Sequence, residues 1–375
     1  MFGKTQILSR IDFRIIPVIL ALMVISLLII SAHSAETPDE GFWTLETQKQ
    51  VKSFALGWIV FFVAALFDYN RLREWTWILY GLSILALIGL FFTDPIQRVH
   101  RWYRVPFVGM NLQPSEQAKL VVVMTLSWFL ERRRSQAHEW GTAALCGLIV
   151  AIPFFLILKQ PDLGTALVLF PIALVMFYFG DIHPQVVRTM TWMGAIVLVV
   201  VGLIFSGALP HETLRPYAMK VMKEYQFDRL DPNTHHQKAA VTAIALGGIS
   251  GSGWRKSTFT GNGWLPAPYT DSVFPAFAEE YGLIGLFLLL GLLYTLVYFS
   301  FQVTAAAKDP FGRLLAAGVA VYLAMHILVN IGMMSGLLPI TGVPLILVTY
   351  GGSSVLSTMA ALGILQSIYC RRFMF

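Results

Sequence analysis

Charge is what this chain has least of. Asp, Glu, Lys and Arg together make up 13% of its 375 residues, where an ordinary water-soluble domain has about 25%. That poverty, beside 56% hydrophobic residues, excludes a typical soluble globular protein and a disordered one. Cysteine is almost missing too. Cys146 lies in an apolar run and Cys370 in a basic tail, so no disulfide framework and no cysteine-based metal site is expected. His-Glu-x-x-His is absent, and the adjacent His235 and His236 are badly spaced for two ligands on one helix face; no structural metal is expected. Low-complexity tracts and tandem repeats are lacking. The glycine-rich run Gly247-Gly248-Ile249-Ser250-Gly251-Ser252-Gly253 has no Lys-Ser/Thr ending and no βαβ context, which excludes a P-loop and leaves a flexible turn or a re-entrant segment.

What the chain does have is long apolar runs. A membrane span needs roughly 20 such residues, and runs at 15–32, 53–67, 76–92, 118–130, 143–158, 164–179, 193–209, 273–300, 314–334 and 344–368 give about ten spans. The first is too long for a signal-peptide core and reads as a retained helix. The expected fold is all-α and polytopic, a single membrane domain over 1–375, with a long extracytoplasmic loop at 210–272 between the seventh and eighth spans.

The net charge of +6 fits the positive-inside rule better than nucleic-acid binding. Lys4, Arg10 and Arg14, then Arg71 and Arg73, Arg132 to Arg134, Arg188, Lys308 and Arg313, and finally Arg371 and Arg372 fall on alternate connections. Both termini are therefore expected in the cytoplasm. Glu36, Asp39, Glu40 and Glu46 fall on the other side. Arg98, Arg101, Arg104, Arg215, Lys220 and Lys223 break the pattern by standing on the outer side. There they suit either a phosphate-bearing ligand or anionic lipid headgroups.

Several polar groups stand at helix ends where the pattern is otherwise apolar. Asp271 precedes the eighth run; it reads either as a helix cap, with Thr270, or as a general base at the membrane surface. Glu279 and Glu280 lie within that run, and carboxylates at such depth need partners. Pairing with a Lys or Arg of another helix is the expected arrangement. In Gln113-Pro114-Ser115-Glu116-Gln117-Ala118-Lys119, a helix starting at Pro114 would put Glu116 and Lys119 on one face. Lys119 would there either snorkel or meet a phosphate. Asp162, in Gln160-Pro161-Asp162-Leu163-Gly164-Thr165, reads as a cap. Pro339, Gly342, Pro344 and Gly351-Gly352-Ser353-Ser354 interrupt an apolar region, which is tolerated in a membrane only where backbone is buried or lines a cavity.

Taken in order, these motifs resemble the SEDS family of shape, elongation, division and sporulation proteins. Gln113 to Leu120, Gln160 to Thr165, Thr270-Asp271 with Ala278-Glu279-Glu280-Tyr281-Gly282, Gly342-Val343-Pro344 and Tyr350 to Ser354 carry the resemblance across nearly the whole chain. It implies a ten-helix peptidoglycan glycosyltransferase that polymerises lipid II in the cytoplasmic (inner) membrane. Gly342-Val343-Pro344 and the minimal N-terminus look more like the elongation member than the division member. A class B penicillin-binding protein and the elongation machinery are the implied partners. Asp271 matches the family's essential extracytoplasmic Asp, the implied base. Arg101, Gln113, Lys119, Asp162 and Ser353 are the implied substrate contacts, with Glu116, Glu279 and Glu280 orienting or structural. No cofactor is required; a divalent cation (Mg²⁺ or Mn²⁺) at the pyrophosphate is compatible with the chemistry. Tyr269 and Ser272 depart from the family pattern around the Asp, as do His235 and His236 in the loop. A lipid II flippase is the rival expectation, because many spans around a polar cavity would serve it as well.

Overall fold

A computed structural model describes residues 10–35, 41–94, 99–105, 110–220 and 224–373. Lys4, Glu36, Asp39, Glu40, Arg98 and Lys223, which entered the charge pattern, lie outside the described residues. The long helices are α1 (Ile15–His33), α2 (Leu45–Leu66), α3 (Leu72–Gly89), α4 (Pro114–Arg132), α5 (Trp140–Lys159), α6 (Leu163–Phe179) and α7 (Pro184–Phe205). In the polar loop come α8 (His211–Ala218) and α9 (His235–Leu246), and after it α10 (Val273–Ala306), α11 (Pro310–Met334) and α12 (Gly352–Arg371). A two-stranded antiparallel ribbon, β1 (Tyr103–Val105) and β2 (Met110–Leu112), joins α3 to α4.

Eight of these helices are long and apolar enough to cross a membrane; α6 is apolar but shorter. α4 keeps Glu116 and Lys119 within a helix whose side chains, these two included, are nearly all buried. The ten helices expected from the apolar runs are therefore present, and the chain is a multi-pass membrane protein. Their ends differ from expectation in physically sensible ways. α2 begins at Leu45 because Thr44 caps it, accepting from the Thr47 N–H. α7 begins at Pro184, a residue suited to a first helical turn. The last helix starts at Gly352 rather than at 344, since 340–351 runs as extended chain and turns.

α4, α11 and α12 are the most buried spans and form the centre, whereas Ile204 is the one fully buried residue of α7. α2 lies tightly along α12. A Cβ at Gly57 would meet Met359 and Val355 at 3.1 Å, and one at Gly363 would meet the Phe61 carbonyl at 2.6 Å. Small residues at such crossings let helix backbones approach.

α10 is broken. Gly282 sits at φ 60°, ψ −161° inside it, which frees carbonyls and amides in an apolar setting. The glycine-rich turn repairs the break. Ser252 and Gly253 donate to the carbonyls of Glu279 and Glu280, at 2.9 and 2.8 Å. In return Leu283 and Ile284 donate to Gly248 and Ile249, at 2.9 and 3.2 Å. The run expected as a flexible turn or a re-entrant segment is thus a built patch that supplies the hydrogen bonds a broken membrane helix must find.

At the opposite end of the bundle the connections are tied by charge. Arg73 Nη2 reaches Glu131 Oε1 at 2.8 Å and Asp309 Oδ2 at 2.9 Å. Asp309 also accepts the Tyr69 hydroxyl at 2.5 Å and caps α11 through the Gly312 N–H. The ends of α3, α4 and α11 are joined by that one cluster.

Candidate functional site

The cleft lies where the first turns of α4, α6 and α12 meet the α3–α4 ribbon and the polar loop. Its volume is about 840 Å³, and its wall includes Arg101, Gln113, Asp162, Asp271 and Ser353. Five residues scattered over 250 positions of sequence are brought together there.

Asp162 does two jobs. Its Oδ1 caps α6 by accepting the Thr165 N–H at 3.3 Å. Its Oδ2 accepts from Gln113 Nε2 at 2.9 Å and Ser115 Oγ at 3.2 Å. The Gln113 N–H in turn donates to Ser353 Oγ at 3.0 Å, so α4, α6 and α12 are pinned at their first turns. Arg101 is held from behind. Its Nε donates to the Gln160 carbonyl at 3.1 Å and its Nη2 to the Pro161 carbonyl, which fixes the guanidinium at the cleft wall.

Asp271 is not a helix cap. The cap position of α10 belongs to Ser272, which makes no capping bond with its side chain. Backbone contacts hold the segment: Asn330 Nδ2 donates to the Asp271 carbonyl at 3.3 Å, Thr349 Oγ1 to the Thr270 carbonyl at 3.2 Å, and the Tyr350 N–H to the Tyr269 carbonyl at 2.9 Å. The carboxylate is left for the cleft. Burial pushes its pKa up, against the opposing pull of His236, Arg101 and Arg229; Asp162 adds to the rise. A carboxyl so placed titrates closer to neutrality than an exposed one.

Two expectations are corrected. Lys119 does not line the cleft. It is 0% exposed, its ammonium 2.8 Å from Glu116 Oε1 and 2.6 Å from His326 Nε2, beneath the face of Tyr322. Glu116, itself 2% exposed, holds it toward the core. The second concerns Glu279 and Glu280, for which Lys or Arg side chains were the expected partners. Glu279 instead accepts the backbone N–H groups of Phe259 and Thr260, at 2.8 and 3.0 Å, and the Thr260 hydroxyl at 2.5 Å. Glu280 accepts the Arg255 backbone N–H at 3.1 Å and stands 3.3 Å from His33 Nε2. Both acids fasten the loop to α10.

Sequence reasoning missed Lys49 and Ser53 on α2, Asn111 on β2, and Arg229 and His236 in the loop, all of which line the cleft. Lys49 and Ser53 are one turn apart on α2 and share a face, a signal that was available. Arg229 carried no motif; only the fold brings it beside Thr341, to whose carbonyl it donates at 3.5 Å.

Fold and cleft together define a polytopic membrane protein with a charged, polar site at one end of its helix bundle. Its relatives narrow this further. The profile of the family described as "Cell cycle protein" (FtsW, RodA, SpoVE) matches residues 12–372, and the chain belongs to that family. Peptidoglycan glycosyltransferase MrdB of Escherichia coli K12 is 31% identical over 367 residues, covering 97% of this chain and 95% of that protein. The protein of the same name from Helicobacter pylori 26695 is 29% identical over 364 residues, covering 95% and 89%. Among solved structures, a chain of a peptidoglycan synthase complex, described for its coordination of polymerisation and crosslinking, is similar with a TM-score of 0.77 at 26% identity, over 97% of this chain and 99% of that one. The rod shape determining protein RodA of Thermus thermophilus shares the fold, with a TM-score of 0.70 at 24% identity over 97% and 98%.

Proposed function

We infer that this chain is a peptidoglycan glycosyltransferase that polymerises lipid II during cell elongation and the maintenance of cell shape. The observation that carries this reading is one carboxylate, Asp271, facing two arginines, Arg101 and Arg229, across a polar cleft in a member of this family. Relatives named peptidoglycan glycosyltransferase along nearly the full chain support it.

The chemistry is a displacement at a sugar C1. The 4-hydroxyl of the acceptor lipid II attacks, the C1–O bond to undecaprenyl pyrophosphate breaks, and the leaving oxygen takes the bonding pair. An α-linked donor giving a β-linked product means inversion, which calls for a base on the acceptor side. Asp271 is that base and takes the hydroxyl proton; its raised pKa suits the task. Arg101 and Arg229 stabilise the charge developing on the pyrophosphate. Gln113, Asp162 and Ser353 shape the wall between them. Lys119, buried with Glu116, acts through the core rather than on phosphate. Asp228 and Asp271 are hard oxygen donors in the same cleft; they would be the residues to hold Mg²⁺ or Mn²⁺, which would supply positive charge there.

The cleft faces the outside of the cytoplasmic membrane in this reading, and both termini face the cytoplasm. The arginine-rich connections at the opposite end support that orientation. A class B penicillin-binding protein is the proposed transpeptidase partner within the elongation machinery, in line with the similar chain from a peptidoglycan synthase complex. A flippase would need access from both ends. The Arg73–Glu131–Asp309 cluster ties the far end together, which favours the enzyme. The test is polymerisation of purified lipid II by the chain with its transpeptidase. Polymer from the wild type and none from Asp271→Ala supports the reading; equal polymer from both overturns the role of Asp271.

A further inference from the structure

The cleft wall opposite Asp271 has no regular secondary structure of its own. Residues 341–344 form part of it, and a Cβ placed on Gly342 would lie 3.6 Å from Asp271 Oδ2. Chain without a helical or sheet ladder keeps its place only through bonds to its neighbours. Besides Arg229 at the Thr341 carbonyl, two of those bonds come from one face of α11. Asn330 Nδ2 donates to the Val343 carbonyl at 2.8 Å as well as to that of Asp271. One turn earlier, His326 Nδ1 lies 3.2 Å from the Pro344 carbonyl. Both side chains are fully buried.

The other ring nitrogen of His326 settles which proton it carries. Lys119 Nζ approaches Nε2 at 2.6 Å. An ammonium has three N–H donors and no lone pair to give, so Nε2 accepts. The ring proton then sits on Nδ1 and is donated to Pro344. A continuous chain of hydrogen bonds therefore runs from Glu116 through Lys119 and His326 to the cleft wall. Burying an ion pair is costly, and removing a partner from it leaves an uncompensated buried charge.

We propose that His326 is a positioning residue for glycosyl transfer: it couples the buried Glu116–Lys119 pair to the Pro344 carbonyl and thereby sets the wall that faces Asp271. The proposal rests on the reading of Asp271 as the base. It also gives Lys119 a function at a distance from the phosphates. A shift of about 1 Å in a supporting wall is enough to cost on the order of a hundredfold in rate.

The test uses the full chain, purified with its transpeptidase, with lipid II as substrate. His326→Leu removes both bonds at similar volume. His326→Gln keeps an acceptor for Lys119 and a donor for Pro344. For Leu, kcat should fall by about tenfold or more while KM for lipid II stays within about twofold, and Gln should recover most of kcat. A ¹⁵N spectrum of histidine-labelled wild type should show His326 as the neutral Nδ1–H tautomer. Wild-type kcat in the Leu variant would overturn the proposal. So would a KM effect at unchanged kcat, Leu and Gln variants equally inactive, or an Nε2–H tautomer. The spectrum requires no variant, so a Leu variant that fails to fold does not shield the idea. Lack of polymer from the wild type would sink the polymerase reading instead, and the tautomer, measured without substrate, separates the two failures.

Discussion

Gly251 and Gly282 touch backbone to backbone. A Cβ on Gly282 would stand 2.4 Å from the Gly251 nitrogen, and one on Gly251 would stand 2.6 Å from the Gly282 nitrogen and 2.2 Å from the Glu280 carbonyl oxygen. Both residues also have φ in the left-handed region, at 75° and 60°. The site needs glycine twice over, for space and for conformation. Gly251→Ala is expected to lower the thermal unfolding midpoint sharply, because the backbone of the α10 break must move to admit it. Gly81→Ala is the control. That residue lies within α3 with open space around it, and the change should be neutral or stabilising by about 0.5–1 kcal/mol. Unfolding in detergent, followed by tryptophan fluorescence, compares the two.

Asp271→Asn should abolish polymerisation and at the same time raise the unfolding midpoint at pH 7. The folded-state pKa of Asp271 is raised by burial. Its contribution to stability is therefore present below the ordinary carboxylate range and lost as pH rises through the folded pKa. At neutral pH the ionised group costs stability that the amide does not. A variant that is inactive and also less stable at pH 7 would contradict this.

The acid limb of the rate should move with Arg229. In the proposed mechanism Asp271 works as the carboxylate, so kcat/KM of the wild type should rise with pH through its pKa. Arg229 pulls that pKa down. Arg229→Ala should shift the acid limb to higher pH and slow the reaction, whereas Arg229→Lys should restore the position of the limb better than the rate, since lysine supplies charge without the planar fork. A pH–rate profile of the three proteins reads both effects.

Asp309→Ala should destabilise by about 2–4 kcal/mol, as it removes the partner of the Tyr69 hydroxyl, one partner of Arg73 and the cap of α11 together. Asp309→Asn should lose less, because an amide oxygen can still cap. Thermal unfolding of both variants gives the comparison.

The helices were legible because a membrane span writes itself as a continuous run of apolar residues. Asp271, Gln113 and Asp162 were legible because each stands in a short motif beside a span end, Arg101 because it is a cation on the outer side, and Ser353 because paired glycines interrupt its apolar run. Lys119 shows where that reasoning stops. Its place near the start of α4 suggested a phosphate contact, but its direction depends on His326, 207 positions away. The partners of Glu279 were hidden for a related reason: backbone N–H groups and a threonine hydroxyl satisfy it, and no charge pattern announces them. The last span was placed too early because 344–351 is as apolar as a helix, yet it runs as turns held by His326 at Pro344, Thr349 at Leu345 and Gln50 at Gly351.

The arginine and aspartate cluster at the far end has a consequence for the cell's energy supply. A hollow of about 840 Å³ lined with charge would, if continued through the bundle, let protons and sodium ions run down their gradients. Tyr69 and Arg73, Glu131, and Asp309 tie three connections together, and the apolar packing of α4, α11 and α12 fills the space between. The protein can therefore expose a wet reaction chamber on one side of the membrane while the barrier that stores the proton-motive force stays intact.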